Sequence, residues 1–549
     1  MKNKHIIHLL PLLVIPVISS GCTKPGAEKI NTSQTQIYVN NFKRGFGGDW
    51  LADYKTKFEA KFADVSFENG KKGVQVIISN SGAPADSRIS NILSGRDEVY
   101  FTEQTSYFTL LQNDVVLDIT SMMKEKLEGE TRSIEDKMSE GQKNYLDYKG
   151  KYYAIPHYSG YFGLTYDADL FTKKKFYLAA EPTGTTLDGK FIRYDDDERS
   201  AGPDGVKGTY DDGLPATYAE FYDLCEYMIK KNCTPMIADG QNAGGYINLL
   251  VNQLAANNEG REQMELIYSC NGTMTNLGTV DANGNKTKLG PKTITPATGY
   301  EAYRMLGKYD AIKWYETCYN NKYFYSKIDS SGYSAGNAQN DFLRSSITGA
   351  SDLNPVGMLS EGNWWVAEAS TSFDKLSDTY GEEWKSANRN LQFMPLPKAE
   401  AGNGTNTIFD HLSALMFVKK NVAEWKLPLI SEFVKFVNTD ESLQSFSVIT
   451  NTMKALDYEI SEENLAKMTS FGKSLYNIQK TSEIVYPFNS SDYFQNNSTF
   501  YKYGNQYYSK IGGINNQYLA TGIKNKATAE EYFTGMYEYY KMDWANRNL

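Results

Sequence analysis

Strands and helices alternate along the first hundred residues, and this alternation constrains the fold more than any other feature. Three short runs are rich in β-branched and aromatic residues: Ile37–Val39, Val74–Ile78 and Val99–Phe101. Between the first two runs, aromatic residues recur every four positions: Trp50, Tyr54, Phe58 and Phe62. That spacing is the apolar stripe of an amphipathic helix, and a second helix is expected over 88–93. Strands that alternate with helices predict a parallel sheet and an α/β lobe.

Polar side chains follow the first and third of these strands. Asn40 and Asn41 come after the first strand, and Glu103 and Gln104 after the third. Ligands of open α/β sheets bind outside the carboxyl ends of the strands. Asn41, Glu103 and Gln104 are therefore candidate ligand-binding residues.

The chain begins with a segment typical of export. Lys2 and Lys4 precede an apolar stretch over 6–18, which ends in Ser19-Ser20-Gly21-Cys22. This stretch is shorter than the about 20 apolar residues that span a bilayer. A cysteine after small residues resembles the lipobox of bacterial lipoproteins, although Ser19 stands where leucine is usual.

The export segment predicts an anchored protein. We expect residues 1–21 to be a signal peptide, and 22–36 to be a lipidated Cys22 followed by a flexible tether. The body would then lie at the extracellular face of the cell membrane, as in cells of the Gram-positive type. The alternative is an ordinary secreted protein in which Cys22 has no special role.

Length and charge narrow the class of protein. The chain has 549 residues with no second long apolar run, so a soluble body of at least two lobes is expected. The formal net charge of −9 argues against a nucleic-acid-binding protein, which would show a basic patch. Only His157 and His411 follow the export segment, so only two histidines are available for a histidine-based catalytic triad.

The cysteines give no zinc-binding pattern. Cys225, Cys233, Cys270 and Cys318 form no close CxxC pairs. Cys225 lies in an apolar helical pattern for which Thr217 and Glu220 predict an N-terminal capping box, so a buried thiol is expected. A Cys225–Cys233 disulfide is the alternative in an oxidising location.

Four segments, in order, resemble the family 1 extracellular solute-binding proteins of ABC importers, the group that contains maltose-binding protein. They are Tyr153–Pro156 with Gly163–Phe171, then Pro215–Phe221, Gly357–Trp365 and Phe433–Glu441. Each motif is weak alone, but together they cover about residues 36–549.

This resemblance implies an α/β, periplasmic-binding-protein-like fold of type II with a ligand cleft between two lobes. Lobe 1 would comprise 37–157 and 411–452, and lobe 2 would comprise 158–410 and 453–549, with an acidic insert over 180–214. It also implies a monomeric receptor, not an enzyme, whose partners are ABC permease subunits.

The resemblance suggests further site residues. Trp364 matches the position that stacks on a sugar ring in the family; Asn363 lies beside it, and Trp365 is the more expected core residue. The other candidates lie on crossing segments or strand ends: Tyr158, Tyr161, Asp239, Gln241, Asp410, His411 and Tyr486. Core packing is the alternative for Trp364, hinge packing for Tyr158 and Tyr161, a loop N-cap for Asp239, and a structural role for His411. Tyr486 corresponds loosely to a late aromatic loop of the family.

The insert concentrates carboxylates among glycines. The candidate ligands of a calcium ion are Asp195, Asp197, Asp204, Asp211 and Asp212. A solvated acidic turn explains the same residues equally well. No cofactor is required, and structural Ca²⁺ is the one candidate.

These observations predict a lipid-anchored receptor that captures an oligosaccharide in the interlobe cleft and delivers it to an ABC importer. One alternative is a cell-surface glycoside hydrolase, which needs two carboxylates about 5–10 Å apart. A binding protein for a non-sugar solute is the other. The sequence does not name the sugar, its linkage or its length.

Overall fold

The structure is a computed structural model that describes residues 28–402, 405–410, 414–486, 508–511 and 514–545. The strands are Thr35–Phe42 (β1), Val74–Ser81 (β2), Val99–Thr102 (β3), Ile155–Pro156 (β4), Phe162–Asp167 (β5), Thr234–Ala238 (β6), Gly272–Met274 (β7), Gly278–Val280 (β8), Lys286–Lys288 (β9), Lys292–Ile294 (β10), Val356–Gly362 (β11), Leu391–Met394 (β12), Asn406–Phe409 (β13), Leu415–Val418 (β14), Ser482–Val485 (β15), Tyr508–Ile511 (β16) and Ile514–Tyr518 (β17).

The α-helices are Asp49–Lys61 (α1), Ile89–Ser94 (α2), Tyr107–Gln112 (α3), Thr120–Lys124 (α4), Glu140–Leu146 (α5), Ala168–Lys174 (α6), Tyr218–Lys230 (α7), Ala243–Glu259 (α8), Arg261–Ser269 (α9), Leu306–Asn320 (α10), Ala335–Ser345 (α11), Trp365–Glu368 (α12), Ser370–Tyr380 (α13), Leu427–Phe436 (α14), Asp440–Thr450 (α15), Glu462–Lys467 (α16), Ser470–Thr481 (α17), Leu519–Lys524 (α18) and Ala529–Ala545 (α19).

The first lobe is built on a five-stranded sheet of order β2-β1-β3-β14-β4. β1 runs parallel to β2 and β3, which confirms the parallel sheet predicted from the alternating pattern. β14, more than three hundred residues later in the chain, inserts antiparallel between β3 and β4. The sheet of the first lobe therefore includes a strand that follows most of the second lobe in the sequence.

Helix α1 packs on this sheet through the predicted aromatic stripe. The Trp50 ring lies 5.0 Å from Phe101 of β3, and the Phe58 ring lies 5.1 Å from Phe433 of α14. Because residues four apart share one face of a helix, a single stripe contacts both neighbours.

The second lobe contains a four-stranded sheet of order β12-β5-β11-β6. β11 pairs parallel with β6 and antiparallel with β5. Every residue of β5 and β11 is buried, as expected where both faces of a sheet are covered. The predicted capping box of Thr217 and Glu220 starts α7 in this lobe.

Crossing segments join the two sheets. Residues 157–161 run from β4 to β5, and the backbone N–H of Ser159 donates to Met453 O at 3.3 Å. Tyr158 forms an antiparallel bridge with Lys454, and His157 N donates to Ala414 O at 2.9 Å. This is the predicted two-lobed arrangement; the exact lobe boundaries stay predictions.

All four cysteines among the described residues are free and buried. The alternative of a Cys225–Cys233 disulfide is therefore wrong, since Cys225 packs inside α7 while Cys233 lies beyond its end. Burial raises the pKa of the Cys233 thiol to about 12. Within the described part of the chain, no helix has the length and apolar character needed to cross a membrane.

Candidate functional site

Trp364 lies where the two lobes meet. β11 ends at Gly362, and the half-buried Trp364 folds its indole ring back over that glycine. A Cβ added to Gly362 would lie 2.1 Å from the ring, so only glycine permits this conformation. From the other lobe, the β1–α1 loop brings Gly45 so close that its Cβ would lie 3.1 Å from Trp364 Cβ.

Two further rings pack with Trp364: Tyr246, which is partly exposed, and Phe162, which is 1% exposed and supports the other two from the core. Phe162 at the start of β5 lies 6.2 Å from Trp364 and 5.1 Å from Tyr246 on α8, between ring centroids. We call Phe162, Tyr246 and Trp364 the aromatic platform. Sequence reasoning missed Phe162 and Tyr246, although Phe162 directly follows the predicted Tyr161.

Carboxyl groups border the platform on its own lobe. Glu361 is 1% exposed, and its Oε2 accepts the N–H of Gly362 at 2.8 Å. Gln339 Nε2 donates to Glu361 Oε1 at 3.2 Å and to Glu368 Oε2 at 3.1 Å. Burial, together with Glu368 and Asp239 nearby, raises the pKa of Glu361 to about 8. Among Glu361, Glu368 and Asp239, the sequence analysis named only Asp239 as a candidate.

Glu103 lines the same space from the first lobe. It is 6% exposed and accepts the hydroxyl hydrogen of Tyr158, so the structure brings two predicted residues together. Burial raises the pKa of Glu103 to about 8; Arg44 opposes this shift, and Glu368 of the second lobe adds to it. Glu368 of the second lobe is therefore near enough to Glu103 to disfavour its ionisation.

The two raised carboxyl pKa values predict a pH dependence. Each carboxyl ionises near 4.5 when exposed and near 8 in the fold, so the native state holds extra protons between these values. The free energy of unfolding should therefore fall as pH rises from about 4.5 to 8. Glu103→Gln should remove part of this loss. The difference in melting temperature between the variant and the wild type should therefore be roughly 1–3 °C more favourable to the variant at pH 8.5 than at pH 6.

Melting curves of the wild type and Glu103→Gln at both pH values test this expectation. The control is Glu424→Gln, because Glu424 is exposed and is not among the groups that shift the pKa of Glu103 or Glu361, so it should give the same difference from wild type at pH 6 and 8.5. An equal effect of Glu103→Gln at the two pH values would contradict a buried, protonated Glu103.

Asn363 and Trp365 have structural roles. The Asn363 amide donates to Ser159 O and Thr452 Oγ1, each at 2.9 Å, and its Oδ1 accepts the N–H of Tyr161 at 3.3 Å. The side chain thereby ties crossing segments together. Trp365 is fully buried and donates to Thr165 Oγ1 at 2.9 Å, which is the core position that the sequence favoured for it.

Asp239 and Asn41 hold loops. Asp239 accepts the backbone N–H of Asn242 at 2.8 Å and its side-chain amide at 2.9 Å, and so holds the loop before α8, whose N-cap residue is Asn242. Asn41 Nδ2 donates to Gly47 O at 3.2 Å and so supports the loop that covers Trp364. Gln104 and Gln241 are exposed, and Gln104 has a left-handed backbone with φ of 51°.

The remaining predicted residues lie apart from the platform or outside the described residues. Tyr161 is buried with its ring 5.6 Å from Phe393. Asp410 Oδ1 accepts the N–H of Gly160 at 3.3 Å. Tyr486 contacts Gln142 in a separate pocket. His411 and the predicted lipidation site Cys22 lie outside the described residues.

The aspartates of the insert bind their own loop. Asp197 accepts the N–H groups of Arg193 and Tyr194, Asp211 accepts Asp204 N at 3.0 Å and Thr209 Oγ1 at 2.8 Å, and Asp212 accepts Gly208 N at 2.8 Å. Asp195 pairs with Lys175, and Asp204 accepts the N–H of Val206.

These bonds favour the acidic-turn alternative for the insert. Across the described residues, no group of three or more His, Cys, Asp or Glu side chains could hold a metal ion. The calcium site stays a prediction.

Comparison with known proteins identifies the fold. No protein-family model and no curated protein matches the chain. A chitin oligosaccharide binding protein superposes with a TM-score of 0.52 at 15% identity, covering 93% of this chain and 100% of that one. RafE from Streptococcus pneumoniae gives a TM-score of 0.52 at 13% identity, covering 94% and 99%.

A third structure, from work on xylan utilization by the thermophilic bacterium Caldanaerobius polysaccharolyticus, gives a TM-score of 0.54 at 14% identity and covers 92% and 99%. These likenesses extend over nearly the whole of each chain. Together with the two sheets and their crossing segments, they show that this chain has the two-lobed type II fold of solute-binding proteins.

Proposed function

We propose that this protein is a receptor that binds an oligosaccharide in the cleft between its lobes without chemical turnover. The observation that carries the proposal is the aromatic platform bordered by buried carboxyl groups, with Glu103 and Gly45 of the other lobe facing it. Aromatic faces pack on the apolar face of a sugar ring, and carboxyl groups exchange hydrogen bonds with its hydroxyls.

The distribution of the site residues over both lobes gives a physical reason for the lobes to close around a ligand. The second lobe contributes the platform and the first lobe contributes Glu103 and Gly45, so a ligand completes its contacts only when the lobes close around it. At neutral pH, the raised pKa values of Glu103 and Glu361 keep both carboxyl groups largely protonated. Each can then donate as well as accept, which matches a sugar hydroxyl.

The likeness in fold supports a sugar as the ligand. One similar structure is named for chitin oligosaccharides, and RafE is also described in complex with raffinose. The proposal includes lipid attachment at Cys22, display at the extracellular face of the membrane, and delivery to ABC permease subunits. These parts rest on the export segment and the family resemblance.

A ligand panel tests the proposal. Xylan, chitin, raffinose-type and maltosyl oligosaccharides would be added to the purified mature protein in a thermal-shift assay. The cognate sugar should raise the melting temperature in a concentration-dependent manner, since a ligand at 100 times its Kd adds about 2.7 kcal/mol to stability. The same mixtures are then analysed by chromatography.

Two results would count against the receptor. Cleavage products on chromatography would favour the glycoside hydrolase alternative. Polyols and peptides are added to the same assay as non-sugar candidates, and a shift with one of them but with no sugar would favour a receptor for a non-sugar solute.

A further inference from the structure

A second pocket lies between the lobes, away from the aromatic platform. It has a volume of about 250 Å³, and its walls come from residues 136–142 of the first lobe and from residues 453–458 and 476–486 beyond the crossing segments. None of its described lining residues belongs to the platform or to the carboxyl groups around it. An engineered cavity of about 150 Å³ holds benzene, so this space admits one substituted six-membered ring.

Tyrosines dominate the side-chain surface of this pocket. Tyr458, Tyr476 and Tyr486 all line it. The Tyr476 hydroxyl donates to Glu459 Oε2 at 2.7 Å, and the Tyr486 hydroxyl accepts from Gln142 Nε2 at 2.9 Å. These bonds fix the rings, which offers a ligand rigid aromatic faces at small entropic cost.

One acceptor in the wall lacks a donor. Gln479 Nε2 donates to Lys454 O at 3.2 Å, whereas its buried Oε1 has no hydrogen-bond partner among the residues that the structure describes. Leaving a buried acceptor unsatisfied costs about 1–3 kcal/mol. A hydroxyl or N–H of a bound molecule would remove that cost.

The charges around the pocket are already balanced. Lys480 pairs with Asp457 at 3.4 Å, and Asp457 also pairs with Arg132 at 2.8 Å. The buried Lys137 ammonium pairs with Glu130 at 2.6 Å and Asp440 at 2.7 Å. The lining carboxylate of Asp136 accepts the N–H and the hydroxyl of Ser133, each at 2.8 Å. Because the lysines are ion-paired and this carboxylate is hydrogen-bonded inside the protein, the pocket favours an uncharged ligand.

We propose that this pocket is a second binding site, which takes a single uncharged sugar ring. The size admits one ring, the tyrosines supply packing faces, and Gln479 Oε1 accepts a hydroxyl hydrogen. The site is built from different residues than the cleft, so it does not depend on the function proposed for the cleft.

Ligand-observed saturation-transfer NMR tests this site. The protein is the mature chain carrying Trp364→Ala, which disables the platform, and the probes are glucose, galactose, xylose and N-acetylglucosamine at millimolar concentration. At least one probe should receive saturation from the protein. Gln479→Leu and Tyr476→Ala, each added to Trp364→Ala, should weaken that signal about tenfold or more.

The control is Tyr194→Ala in the same background, because Tyr194 is 68% exposed and does not line the pocket. A crystal of the Trp364→Ala protein soaked in the best probe gives a readout that needs no pocket variant to fold. Sugar density between Tyr476 and Gln479 would support the proposal. Absence of any probe signal, or a signal unaffected by both pocket variants, would overturn it.

Discussion

Trp364→Ala should reduce the affinity for the cognate sugar at least about 30-fold, the equivalent of about 2 kcal/mol. The indole is the largest ring of the aromatic platform and lies against Gly362 on its own lobe and Gly45 on the other. Its removal deletes the largest apolar face of the cleft and the surface against which the first lobe closes. Isothermal titration with the ligand identified in the panel measures the loss.

The matched control is Trp425→Ala. Trp425 is 51% exposed and lies outside the cleft, so its loss should leave the affinity unchanged. Unchanged melting temperatures would show that both variants fold. If Trp364→Ala bound the sugar as tightly as wild type, the platform would not be the binding surface.

Arg389→Leu should lower the free energy of unfolding by about 3–5 kcal/mol. Arg389 donates to Asp167 Oδ2 at 2.9 Å, and both side chains are almost fully buried. The Asp167 carboxylate also accepts Ser346 Oγ at 3.0 Å and caps α6. Without the guanidinium, a buried negative charge loses its counterion at the end of β5. Denaturant unfolding measures the change.

Two further variants make this test specific. Lys385→Ala removes a lysine whose pairing with Glu382 is solvent-exposed, and it should have no measurable effect. Adding Asp167→Asn to Arg389→Leu should recover part of the stability, because it removes the unpaired charge. Equal losses for Arg389→Leu with and without Asp167→Asn would contradict the proposed cause.

The parts of the fold that could be predicted depend on short-range patterns. The aromatic stripe of α1, the capping box of Thr217 and Glu220, and the first three strands of the first sheet each lie within a few residues of chain. Trp364 could be found because a motif marks its position beside Gly362. In each case, the residues that mark the feature lie close together in the sequence.

The residues that were missed depend on distant partners. Phe162, Tyr246 and Trp364 meet from β5, α8 and the end of β11, about two hundred residues apart along the chain. Asp239 is a candidate sugar ligand by its place after β6, and the structure adds that its carboxylate holds the loop at Asn242. No pattern around Glu361 or Glu103 reveals that burial will raise the pKa of either carboxyl.

The sequence by itself determined the α/β class of the first lobe, because hydrophobic periodicity and capping are local properties. The crossing segments and Trp364 as a candidate ring followed instead from the resemblance to the family 1 solute-binding proteins. Only the tertiary structure decided which carboxyl groups border that ring, which aspartates cap turns, and that Tyr486 lines a pocket of its own. The reason is physical: desolvation and electrostatic coupling depend on what surrounds a side chain in space, and in this fold the surroundings come from both lobes.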